Sequence, residues 1–373
     1  METLRNLNRR IGALPKGTAF TRLAIALART SNDFPQAARL AKRWDETPEI
    51  SAVLAAMSMA GTSNLKAAVS VGSIADPTWA GALVVYEDMA AEFVELLRPM
   101  TILGRLKSLR RVPPLIRFVS QNSGVLVGWV GGGQPALAGE MSLSTQTLGL
   151  AKCAGVIALT KELVESGNPD AEGLVRAELL AATAQFFDQQ FIDPTIAAVV
   201  DISPASVTNG LTAIISTGTS VAAIFNDFQA LFASLVDAGI TFIAPALVMR
   251  PSTALALAMK RTSADVPAFP GITVAGGSLF GVPVVVSASV PGSVSGGAII
   301  ALVDAAEILH AEGSIQIDAS EHASLQMRTD PVSGATTLVS LFQKNLVGLR
   351  VVREMNWQVR RAGAVAYLAG VQY

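Results

Sequence analysis

Apolar positions recur at helical spacing in some stretches and alternate in others, which predicts an α+β chain. The organising stretch is Leu148 to Phe191. Leu148, Leu150, Lys152, Ala154 and Val156 line one side of a predicted strand, because side chains alternate faces along an extended chain. Thr160 is a fair N-cap for a turn over residues 161–166, and Gly167 can end it. Asn168 then caps a new start, Pro169 suits the first helical position, and Asp170 and Glu172 favour the positive helix end. Val175, Leu179, Ala182 and Phe186 follow at spacings of four, three and four, which predicts one buried face. Such a helix is on the order of 35 Å long, enough to serve as a spine.

Upstream, residues 1–70 read as a helical region of their own. Phe20, Leu23, Ala24 and Leu27 share one face, and Asn32 or Asp33 can cap a second helix through Leu40. Thr47 and Pro48 open a third, which ends at Gly61. These helices are short, so their stability has to come from packing. Asp76-Pro77 starts another predicted helix with Leu83, Tyr86, Ala90, Phe93 and Leu97 on one face. Leu115 to Ala151 has strand-like runs on both sides of Gly131-Gly132-Gly133-Gln134-Pro135, with Arg117 and Glu140 as its only ionisable residues. A long hairpin with exposed edges and so little charge needs a partner surface. The glycine triplet reads as a flexible hairpin in preference to a phosphate cradle, since no Lys-Ser/Thr pair and no helix pattern follow it.

Beyond Asp193-Pro194, short strands and helices alternate to about residue 304. Residues 221–236 form a predicted helix with Ile224, Phe228, Leu231 and Leu235 inward. Residues 240–249 read as a strand, 253–261 as a short helix, and 279–286 as a turn into a buried strand. Further strands are predicted over 314–319, 323–328 and 336–361, with Asp330-Pro331 and Ser333-Gly334 between the last two.

Composition narrows the function. Lys plus Arg number 28 against 29 for Asp plus Glu, a balance that argues against an electrostatic nucleic-acid binder. Only 15% of residues are charged while 51% are hydrophobic, so burial in an assembly is favoured over a soluble monomer. The single cysteine, Cys153, sits in an apolar strand and reads as a small core residue. The basic, polar N-terminus leads into no apolar run, so no signal peptide is expected. The charge-free stretch 266–303 is broken by seven glycines and four prolines, so no membrane span is expected.

Three pieces together carry a resemblance. The hairpin with GWVGGGQP, then KCAGVIALTKELVES, then a long helix ending near FFDQQF, resembles the tailed-phage major capsid proteins with the Hong Kong 97 fold. LFGVPVVVSASVP followed by GGAIIALVDAAEI is similar to that family's central strand pair, and FQKNLVGLRVVREMNWQVRRAGAVAYLAG to its closing strands. The resemblance covers roughly residues 75–373.

It implies a Hong Kong 97-type fold divided as follows. Residues 1–70 are a helical extension, either a scaffold-like segment removed by a protease or an arm retained in the shell. Residues 71–111 are the N-terminal arm, and 112–158 the extended loop lying on a neighbouring subunit. Residues 159–193 are the peripheral domain with its spine helix, 194–304 the axial domain, and 305–373 the peripheral domain's C-terminal strands. The implied inter-subunit contacts are Val125, Leu126, Val127, Trp129, Val130, Gly131, Gly132, Gly133, Pro135 and Leu137. The implied partners are further copies of the chain in pentamers and hexamers, packaged double-stranded DNA bound without sequence specificity, and portal, scaffold, maturation protease and decoration proteins. The implied location is the virion capsid, assembled in the host cytoplasm. No cofactor, metal or membrane is implied.

Enzymatic candidates are thin. His310 and His322 are the only histidines, set among Asp304, Glu307, Glu312, Asp318 and Glu321. A metal or acid–base site there competes with an ordinary solvated acidic face. Ser63 to Lys66 fits a Ser-x-x-Lys pattern without its companion motifs. Arg9, Arg10, Arg22 and Arg29 are candidate contacts to packaged DNA. The alternatives to a phage shell are an encapsulin-like compartment shell, which shares the fold, and an α/β enzyme, for which no catalytic constellation is present.

Overall fold

The structure is a computed structural model. It describes residues 17–30, 32–44, 47–61, 95–113, 115–121, 143–149, 151–162, 169–200, 202–327, 337–361 and 363–373. They fall into two compact units. One comprises residues 1–100, 153–184 and 314–353, and the other 101–152, 185–313 and 354–373.

The first unit holds helices α1 (Thr18–Arg29), α2 (Phe34–Ala41) and α3 (Pro48–Gly61). Every residue of α1 from Thr18 to Ala28 is buried, so the helix is enclosed all round rather than amphipathic. Asp33 caps α2, its carboxylate accepting the Gln36 N–H at 3.2 Å, with Pro35 beside it in the first turn. The neighbouring Asn32 side chain instead accepts the Ala319 N–H at 3.2 Å. Strand Ser324–Met327 pairs antiparallel with Thr337–Ser340. The single strand expected over 336–361 is interrupted at residues 341–345, where Asn345 has φ +52° and Leu346 N–H closes a turn onto Leu341 O at 2.9 Å. Asparagine tolerates this left-handed conformation better than most residues, which makes the break cheap.

The second unit is built on a seven-stranded sheet. In spatial order its strands are Ile214–Ile215, Val365–Val371, Ala298–Asp304, Pro245–Met249, Val282–Val286, Gly276–Leu279 and Ile272–Thr273. All seven residues of Ala298–Asp304 are buried, as suits a central strand. It runs antiparallel to both neighbours, while Pro245–Met249 and Val282–Val286 are parallel. Helix α6 (Val221–Asp237) lays Ile224, Phe228, Leu231 and Leu235 into the sheet's apolar core, as their spacing predicts. Ser220 caps it by accepting the Ala223 N–H at 3.2 Å. Helix α7 (Pro251–Met259) follows Pro245–Met249 directly. Helices α4 (Ile102–Arg105) and α5 (Pro169–Ile192) complete the helical set described.

The block 305–373 does not stay together. Its last strand, Val365–Val371, pairs with Ala298–Asp304 and so joins residues 185–313 rather than 314–353. Strand partners are chosen by long-range pairing, which local pattern does not encode. A four-stranded sheet, ordered Arg110–Arg111, Ile308–Ser320, Leu346–Val359 and Ala151–Thr160, supplies the remaining long strands. The predicted strand from Leu148 begins at Ala151, and its Lys152, Ala154 and Val156 positions are exposed.

Candidate functional site

The hairpin is the first candidate. Val125, Leu126, Val127, Trp129, Val130, Gly131, Gly132, Gly133, Pro135 and Leu137 lie outside the described residues, but its base is in view. Arg117–Gln121 pairs antiparallel with Leu143–Thr147, from Arg117 opposite Thr147 to Gln121 opposite Leu143. Below that, Leu115 N–H donates to Leu148 O and Leu148 N–H to Ile116 O, both at 3.0 Å. Leu148 is buried with Leu309 and Ala311, and Val112 and Ile116 pack against the same cluster. Asn356 Nδ2 donates to Gly149 O at 2.7 Å. The hairpin therefore leaves from a root fixed by apolar packing and three hydrogen bonds.

Helix α5 is the second candidate, and its predicted core face is partly wrong. Leu179 is buried, but Ala182 is exposed and Phe186 is 49% exposed. The side chain of Val175 lies outside the description. The buried stripe is Leu180, Ala184, Phe187 and Phe191, with Leu179, Asp188 and Ile192 beside it. The doublets Leu179-Leu180 and Phe186-Phe187 recur seven residues apart, so two adjacent stripes are equally apolar and periodicity does not choose between them. Phe191 meets Trp357 edge-on, with ring centroids 5.6 Å apart, and Trp357 Nε1 donates to Ala205 O at 2.9 Å.

Sequence reasoning missed Asp188. Its carboxylate is buried, accepting the Ile102 N–H at 2.6 Å and the Ser287 hydroxyl at 2.6 Å. Arg105 donates to the Val286 carbonyl and is close enough to Asp188 to attract it. Desolvation nevertheless holds the Asp188 carboxyl above the usual carboxylate range, outweighing the two hydrogen bonds and Arg105. The available signal was its place between Ala184 and Phe191 on an apolar stripe.

The acidic group around the histidines resolves into structural contacts. Glu307 is buried and takes two hydrogen bonds from Arg360, at 2.8 and 2.9 Å, with Arg361 at 3.9 Å. The Arg360 hydrogen bond is the main reason its carboxyl lies below the usual range. Asp304 is buried and accepts the N–H groups of Ile243, Ala244 and Ala306. His310 is buried with Nε2 3.9 Å from Glu312, whereas His322 is exposed and faces the Phe342 ring. No cluster of three metal-ligating side chains occurs among the described residues.

Cys153 is partly buried, and burial pushes its thiol up to about 11, so it is a poor nucleophile. Arg22 is buried, lies 5.8 Å over Trp44 and donates to Thr47 Oγ1 at 3.3 Å, which corrects its reading as a DNA contact. Arg9, Arg10 and the Ser63 to Lys66 pattern lie outside the described residues. Among the described residues no helix is long and apolar enough to cross a membrane.

A buried sheet, a long helix and a rooted hairpin define a protein of mixed α and β structure. Structures of the same fold come from phages. The protein of Microbacterium phage Oxtober96 aligns over 84% of this chain and 97% of its own, with TM-score 0.52 and 14% identity. That of Mycobacterium phage Ogopogo aligns over 72% and 91%, with TM-score 0.53 and 16% identity. The description of the phage capsid family matches residues 81–370. The chain belongs to the phage capsid family, and its fold is of the Hong Kong 97 type. A curated relative, the capsid polyprotein of Pseudomonas phage PAJU2, is 40% identical over 370 residues, covering 96% of this chain. The chain spans about half (55%) of that relative's length.

Proposed function

We propose that this chain is the major head protein of a phage, self-assembling through pentamers and hexamers into an icosahedral shell around double-stranded DNA. The carrying observation is the capsid-family match across residues 81–370. The name of the PAJU2 relative points the same way. Its balanced charge suits packaging without sequence readout, since no strongly basic face is needed to hold DNA that the shell confines.

In this reading, residues 125–137 lie across a neighbouring copy and lock it in place. The fixed root at Leu148 supports it, because a rigid base transmits the position of the tip. Residues 194–304 gather around capsomer axes, and α5 is the spine of the peripheral part. Scaffold, protease, portal and decoration proteins are further partners, and assembly takes place in the host cytoplasm. The protein has no catalytic role of its own.

Electron microscopy of the purified protein tests this: closed particles are expected, and a stable monomer or dimer would overturn it. Replacing residues 125–137 by a short Gly-Ser turn should leave folded subunits or capsomers that do not close. Normal shells from that variant would remove the hairpin from the assembly mechanism.

A further inference from the structure

Helix α7 starts against the usual chemistry of helix ends. Its N-cap is Arg250, which makes no side-chain cap hydrogen bond, and its first turn holds no acidic residue. Helix starts favour Ser, Thr, Asp or Asn, and the positive end of the helix dipole favours an anion nearby. Here a second positive charge stands where a negative one is expected. Arg250 Nη1 donates to the Val290 carbonyl at 3.0 Å, and the guanidinium has no carboxylate partner among the described residues. Gly292 lies against it, and a Cβ there would collide with Nη1, so glycine is what lets the guanidinium lie along this backbone.

The same helix end opens on a cavity of 620 Å³, a size within the range of small-molecule sites. Pro251 has no N–H, and the Ala254 N–H is taken by Arg250 O at 3.0 Å. The N–H groups of Ser252 and Thr253 are left without an acceptor among the described residues. Thr253 keeps only 2% of its surface and lines the cavity, yet its hydroxyl has no hydrogen-bond partner among the described residues. An unpaired polar group at so buried a position costs stability that a bound acceptor would recover. Ser252, Ser293 and Gln372 add further polar groups, and no Asp or Glu among the described residues lines the cavity. Ala256, Ala298 and Val371 supply an apolar wall. Tyr373 also borders it, with its hydroxyl committed to Asp227 at 3.3 Å.

The place in the sheet is a favourable one. Pro245–Met249 and Val282–Val286 are parallel, and α7 leaves the carboxyl end of the first. Ligands of α/β sheets gather outside such strand ends, with anions at the N-terminus of the helix that follows.

We propose that this cavity binds a small phosphate ester, its phosphate seated between the α7 N-terminus and the Arg250 guanidinium. The donors are more than a carboxylate would use, whereas a phosphate presents three strong acceptor oxygens to them. The apolar wall suits the organic group of the ester. A single basic side chain is too few for a nucleic-acid backbone, whose binding grows with the number of Lys and Arg contacts.

Isothermal titration of the purified protein with phenyl phosphate at fixed ionic strength is the test. One saturable site per chain is expected, and saturation should raise the melting temperature. Thr253→Val keeps the shape and removes the hydroxyl. It should weaken binding by about tenfold, the effect of one hydrogen bond to a charged group. Arg250→Gln should abolish binding, and if that variant does not fold, Thr253→Val decides alone. No saturable uptake by the unsubstituted protein overturns the proposal, and so does uptake that Thr253→Val leaves unchanged. Displacement of phenyl phosphate by a short DNA duplex at physiological salt would assign the site to the nucleic-acid backbone and overturn the small-ligand reading.

Discussion

Asp188 Oδ1 accepts the backbone N–H of Ile102 at 2.6 Å, joining the interior of α5 to the start of α4 across 86 residues of sequence. Oδ2 holds the Ser287 hydroxyl, so one buried carboxylate ties three segments together. Asp188→Ala leaves those donors unsatisfied and should cost about 3 kcal/mol in subunit stability, whereas Asp188→Asn keeps an acceptor and should cost about 1 kcal/mol. Urea titrations of unassembled subunits measure both.

The same residue gives a pH dependence of stated sign. Its folded carboxyl lies above the unfolded value, so the fold prefers the neutral form. That contribution is fully present below the ordinary carboxylate range and is lost as pH rises through the raised folded value. The stability difference between the native chain and Asp188→Asn should therefore shift in favour of the native chain on acidification. A difference independent of pH would contradict the buried placement.

Glu307 behaves in the opposite sense. Its hydrogen bonds from Arg360 hold the folded carboxyl below the unfolded value. Its contribution is present above the ordinary carboxylate range and is lost as pH falls through the lowered value. Glu307→Gln should cost about 2 kcal/mol at neutral pH and should flatten this part of the acid dependence. Melting curves at pH 7 and pH 3 separate the two.

Alanine at Phe191 should cost about 3–5 kcal/mol, because the ring is fully buried against Trp357. Alanine at Phe186 should cost about 1 kcal/mol in the lone subunit, since half of that ring is in water. Comparable losses at the two sites would restore Phe186 to the core face.

Shells should not be covalently cross-linked through the hairpin. Some capsid relatives join a loop lysine to a neighbour's asparagine, a reaction that needs a neutral amine in a dry site. No lysine lies between Phe118 and Ala151. Lys152 is exposed and within 3.6 Å of Glu354, so it stands in water rather than in a dry site. Boiled shells should run as one band near 38.7 kDa, or a cleaved form of it. A ladder of covalent pentamers and hexamers would refute this.

What was legible in the sequence was local. Of the two cap candidates, Asn32 and Asp33, the structure uses Asp33; the inward face of α6 and the turn before Val282 follow from spacing and turn chemistry, and the structure has them where the pattern puts them. The face of α5 was not legible, because its paired leucines and phenylalanines make two stripes equally apolar. Asp188 was hidden for a different reason: a carboxylate among apolar residues reads as surface until its donors, 86 residues before and 99 after, are known.

Val365–Val371 occupies the place between Ala298–Asp304 and Ile214–Ile215. Any chain cut short before residue 365 presents two open sheet edges where one strand should lie, and the fully buried strand Ala298–Asp304 loses a flank. The seven-stranded sheet is therefore incomplete until residues 365–371 have been added to it, so its central strand is secured by one of the last pairings in sequence order.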